Sequence, residues 1–79
     1  MTEGKDDLYA AYLLDLGTLL REYALEAKAR QAVKASSHND GYLAGFHRVL
    51  SLMEQQAEAF GIPASALGLA DFDPDAELV

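Results

Sequence analysis

The sequence predicts an all-α fold, an antiparallel helical hairpin that dimerises into a four-helix bundle. Three observations carry that expectation. Two long segments repeat apolar residues at helical spacing, a short connection rich in cap and turn residues separates them, and each helix bears an apolar arc wider than one neighbour covers.

The first helix is expected over about residues 6–35, a stretch with no proline, one glycine (Gly17) and a dense supply of Ala, Leu, Glu, Lys and Arg. Asp6 and Asp7 would occupy its first turn and Lys28, Arg30 and Lys34 its last turns, as the macrodipole prefers. At about 100° per residue, Leu8, Tyr9, Tyr12, Leu13, Leu16, Leu19, Leu20, Tyr23, Ala24 and Ala27 share an arc of roughly 160°. Such an arc suits a bundle better than the narrow seam of a two-stranded coiled coil. Leu14 and Leu25 fall outside it, where they either extend a contact between subunits or stand alone on the surface. Gly17 is read as permitting a close backbone approach, because the apolar period continues through it.

Residues 35–41, Ala-Ser-Ser-His-Asn-Asp-Gly, form the connection, with Ser37 and Asp40 spaced as a capping box and Asn39 as an alternative cap. The second helix is expected over about residues 39–60, ending at Gly61 in the left-handed conformation ahead of Ile62-Pro63. Its apolar face holds Tyr42, Leu43, Phe46, Val49, Leu50, Leu52, Met53, Ala57 and Phe60. So short a connection makes the helices antiparallel, with Phe46 and Val49 meeting Ala27 and Ala24, Met53 meeting Tyr23, and Phe60 meeting Leu16. Gly41 and Gly45, at the spacing of a helix-association motif, are read mainly as close packing beside the turn.

A short turn of helix over about residues 63–67 follows, with Pro63 at its start and Gly68 at its end. Residues 69–79 read as a partly ordered acidic tail, with Leu69 and Phe72 docked and Asp71, Asp73, Asp75 and Glu77 solvated. Ile62, Leu67, Leu69 and Phe72 are expected to cover Leu8 to Leu13, which project beyond Phe60. Residues 71–75 resemble the start of a calcium loop. The sixth loop position, however, holds Ala76 where glycine is required, and the twelfth lies beyond the chain.

Length and composition place the whole chain, 1–79, in a single helical domain. A core this small commonly needs a brace, and with no cysteine, disulfides and thiolate zinc sites are excluded, leaving association with a second copy. A net charge of -7 with only six Lys and Arg argues against nucleic acid as a partner. No segment reads as a secretory signal or a membrane span, so the expected location is cytoplasmic. The end of the first helix is basic (Arg21, Lys28, Arg30, Lys34) and the tail acidic. That basic end either complements the helix dipole or receives an acidic tail, its own or a partner's.

No catalytic, metal or cofactor signature emerges, so no catalytic, metal-binding or cofactor-binding residue is assigned. His38 reads as a solvated turn residue and His47, beside Arg48, as a partly exposed surface group; no Glu-x-x-His pair exists. Tyr9, Tyr12 and Tyr23 are expected to bury their rings and keep their hydroxyls at the edge. The leading functional expectation is a non-enzymatic interaction or structural protein, an adaptor or regulator. Its dimer interface would involve Leu13, Leu16, Leu20 and Leu52. The alternatives are an acidic inhibitor that binds a basic surface of a partner protein through the tail and the Glu54–Glu58 face, and a small-molecule or metal site at His47 or the tyrosines.

Overall fold

The computed structural model describes residues 2–79, with side chains from Asp6 onward. Helix α1 spans Thr2–Val33, helix α2 spans Ser37–Ala59, a 3-10 turn covers Ala64–Leu67 and a short helix α3 covers Pro74–Glu77; no strand occurs among the described residues. The two long helices lie against each other as an antiparallel hairpin. α1 begins four residues earlier than the cap signals predict, so Asp6 and Asp7 lie in its second turn.

The connection is tighter than expected, and its chemistry is shared between the two helix ends. The N-cap of α2 is Ser36, not Ser37 or Asn39: its hydroxyl accepts from the Asn39 N–H at 3.1 Å. Asn39 is buried, and its Nδ2 donates to the Lys34 carbonyl at 2.7 Å, satisfying an orphan acceptor at the end of α1. Lys34 thus neighbours Asn39, and Gln31 bonds Asp40 at 3.2 Å, a tighter register than the sequence pairing assumed.

The buried stripes are narrow. On α1 the buried residues are Gly17, Ala24 and Ala27, flanked by half-buried Leu13 and Leu20; on α2 they are Leu43, Leu50 and Ala57, flanked by Phe46 and Met53. Spacings alternating between three and four residues define a coiled-coil-like seam on each helix. Because α1 contributes Gly17, Ala24 and Ala27 to the seam, the larger side chains of the predicted arc are left beside it. Tyr9, Tyr12 and Tyr23 are therefore exposed in the single chain, against expectation.

After α2, Gly61 takes the left-handed conformation (φ 70°), as its position implied, and Gly68 (φ 74°) closes the 3-10 turn. The tail then turns back along the hairpin toward the connection. The Leu67 carbonyl docks on Gly17, Gly68 fits against Leu14 and Thr18, and the Arg21 guanidinium donates to the Ala70 carbonyl at 3.1 Å. That guanidinium also lies 5.1 Å from the ring centroid of buried Phe72, a cation–π contact. Further on, Lys28 Nζ donates to Val79 O at 2.9 Å, and Leu69 and Leu78 are fully buried. The tail therefore covers Leu14 to Lys28, and Ile62 and Leu67 reach Leu13, but Leu8, Tyr9 and Tyr12 stay exposed, against expectation.

Candidate functional site

The tail occupies one face of the hairpin, and among the described residues no element covers the opposite face. Helical spacing fixes which residues belong to each. On α1, Leu14, Thr18, Arg21 and Lys28 turn toward the tail, while Tyr12, Leu16, Leu19 and Tyr23 turn away from it. On α2, His47 meets the tail, while Tyr42, Phe46, Val49, Leu52, Met53 and Phe60 lie on the side away from it. The uncovered face is thus an apolar strip along both helices, with Tyr12 at 68% and Phe60 at 75% exposure near one end.

Each residue expected at a dimer interface has a definite place relative to this strip. Leu13 lines an apolar hollow with Met53, Ala57, Phe60, Ile62 and Leu67, and Leu20 lines a second with Tyr42, Gly45, Phe46 and Val49. Both are half-buried and belong partly to the intramolecular core. Leu16, at 37%, is exposed on the strip itself, and Leu52, at 51%, lies at its outer edge beside Arg48, where it also borders the hollow of His47, Glu54 and Asp75. Tyr12, Leu19, Tyr23, Tyr42, Val49 and Phe60 are exposed strip residues left out of that interface reading, as are half-buried Phe46 and Met53. Leu14, also considered for a subunit contact, lies on the tail side instead. Gly41 and Gly45 face open space within this strip and permit no close packing inside the chain.

Aromatic rings extend the strip toward the connection. His38 stacks parallel to Tyr42 at 6.3 Å, Tyr42 meets Phe46 edge to face at 5.1 Å, and Arg30 lies 5.8 Å over the Tyr42 ring. His38 belongs to the first turn of α2, not to the connection.

The polar groups singled out in the sequence serve the tail. His47, half-buried, bonds Asp75 through Nε2 and Oδ1 at 2.7 Å. Asp73 caps α3 by accepting from the Asp75 N–H at 3.1 Å, and its own N–H donates to Glu77 at 3.1 Å. Glu54, facing this cluster, has its carboxyl pushed above the usual range by partial burial and then by the charges of Asp73 and Asp75. His47, Arg48, Ser51, Leu52, Glu54, Gln55, Glu58 and Asp75 line a broad open hollow here, so Arg48 borders the acidic groups of its own chain on one side and the outer flank of α2 on the other. Among the described residues no group of three or more His, Cys, Asp or Glu is arranged to hold a metal ion. No helix among them is long and apolar enough to cross a membrane. The chain matches no protein-family model, no curated protein and no solved structure.

Proposed function

We propose that this protein is a non-catalytic interaction module that works as a homodimer, the uncovered faces of two copies closing into a four-helix bundle. The observation that carries the reading is the apolar strip of Tyr12, Leu16, Leu19 and Tyr23 on α1 beside Tyr42, Val49, Leu52 and Phe60 on α2. Exposed leucines scattered singly need no partner, but a contiguous strip along two helices is the kind of surface that association buries.

The amount of surface supports the same reading. A compact chain of this mass, 8.5 kDa, exposes about 4,700 Å² by the usual scaling, whereas this one exposes 5516 Å². The excess, roughly 800 Å², is close to one partner's share of a standard interface. A radius of gyration of 14.2 Å, against about 12 Å for a compact domain of this length, agrees. The acidic-inhibitor alternative draws less support, since Asp73, Asp75 and Glu77 are engaged within the tail and with His47.

Sedimentation equilibrium at micromolar concentration tests the proposal. The unaltered chain is expected to sediment with twice its sequence mass, and Leu19→Glu or Leu52→Glu to sediment as folded, helical monomers. An unaltered chain that stays monomeric through the high micromolar range overturns it.

A further inference from the structure

We infer that the two copies stack α1 of one over α2 of the other, with Arg48 clasped between Glu22 and Glu26 of the second copy on each outer flank. The inference rests on the homodimer reading above and specifies the orientation of its partner.

A two-fold axis lying in the plane of the uncovered face has two settings that keep stacked helices antiparallel. An axis across the helices stacks α1 on α1. An axis along them stacks α1 on α2 and keeps every residue at its own level.

Charge on the flanks separates the two. Helical spacing puts Asp15, Glu22 and Glu26 on the exposed flank of α1 that faces away from α2, and Arg48 on the corresponding flank of α2. Stacking α1 on α1, centred on Leu16 and Leu19, brings Asp15 of each copy within one helical turn of Glu22 of the other, like charge near like. Stacking α1 on α2 sets the acidic flank against Arg48.

The hairpin register fixes the match. Arg30 lies over Tyr42, and six residues along each helix from that pair stand Ala24 and Arg48. Arg48 is therefore level with the midpoint between Glu22 and Glu26, which are one helical turn apart. The same register sets the apolar residues in pairs: Tyr23 level with Val49, Leu19 with Met53 and Tyr12 with Phe60. Within one chain Tyr12, Tyr23, Val49 and Phe60 remain exposed; stacking α1 on α2 brings each against its counterpart.

The chain contains no cysteine, so introduced ones report proximity without background. Under mild oxidation, a mixture of Tyr23→Cys and Val49→Cys chains is expected to form a covalent heterodimer, while a mixture of Leu16→Cys and Leu19→Cys chains forms none. The reverse pattern, or no cross-link from either mixture while sedimentation still finds a dimer, overturns the stacking and leaves the homodimer standing. A monomeric unaltered chain overturns both. For the clasp, Arg48→Glu and the pair Glu22→Lys with Glu26→Lys are each expected to weaken the dimer roughly fivefold, and all three together to restore it. All these substitutions lie on exposed flanks, and circular dichroism checks that each variant stays helical. Weakening without restoration overturns the clasp.

Discussion

The carbonyl oxygen of Leu67 occupies the space where a β-carbon of Gly17 would stand, so the tail is anchored on the one glycine in the middle of α1. A glycine in a helix interior costs about 1 kcal/mol relative to alanine, and here that cost is offset by a backbone-to-backbone contact no other residue allows. Gly17→Ala is therefore expected to destabilise the protein by about 1–3 kcal/mol, despite its better helix propensity, because the displaced oxygen belongs to the backbone. Gly45, with open space around it within the chain, is the control: in the Leu19→Glu chain, where no second copy is expected to cover the strip, Gly45→Ala is expected to stabilise by about 0.5–1 kcal/mol. Urea unfolding at one fixed protein concentration, with similar slopes, measures both.

The tail's burial makes it part of the core. Leu69, Phe72 and Leu78 are buried against the hairpin, so Leu69→Ala is expected to cost about 2–4 kcal/mol. Truncation after Gly68 removes all three, and the remaining hairpin is expected to lose its cooperative thermal transition. A sharp melt retained by the truncated chain would show that the hairpin stands without it.

How much of this was legible in the sequence follows from the range of the forces involved. Gly61 and Gly68 were readable because a left-handed residue after a helical segment is a local requirement, as was the close approach at Gly17. The α2 cap, read at Ser37 or Asn39 for a helix from about residue 39, is Ser36, because Ser36, Ser37, Asn39 and Asp40 can all cap and Asn39 is taken up by the Lys34 carbonyl. The tail's direction was not readable. It depends on Leu67 meeting Gly17, Arg21 meeting Ala70 and Phe72, and Lys28 meeting Val79, contacts that span about fifty residues of chain. Ala24 and Ala27 were placed in the hairpin contact by spacing and are buried there, but an arc of roughly 160° did not say which of its residues the narrow seam would use, and Tyr12 and Tyr23 are exposed. Leu16 and Leu52 of the uncovered face were recognisable from spacing, while the strip's limits depended on where the tail lay.

Cap chemistry at the connection gives a test at single-residue resolution. Ser36→Ala removes the acceptor for the Asn39 N–H and is expected to cost about 1 kcal/mol. Asn39→Ala leaves the Lys34 carbonyl without its side-chain donor at a buried position and is expected to cost about 1–2 kcal/mol. Ser37→Ala, exposed and outside both bonds, is expected to change stability by less than about 0.5 kcal/mol. Equal losses at Ser36 and Ser37 in thermal melts would contradict this division of roles.

Glu54 sets a pH dependence whose sign follows from its environment. Its folded-state pKa is raised, first by burial and then by Asp73 and Asp75, so the folded chain holds this proton where the unfolded chain has released it. Its contribution to stability is fully present below the unfolded value, about 4.3, and is lost as pH rises through the higher folded value. Glu54→Gln keeps the shape of the protonated form. It is expected to leave stability unchanged near pH 3.5 and to raise it at pH 7 by no more than about 0.5 kcal/mol, the side chain being only partly buried. Because burial is the larger cause, most of that gain is expected to survive added salt, which screens the two aspartates but leaves desolvation in place. Paired denaturation curves for the two chains across this range, at low and high salt, read the difference directly. A gain at pH 7 abolished by salt would assign the shift to the aspartates, and a gain equal at both pH values would remove Glu54 ionisation as its cause.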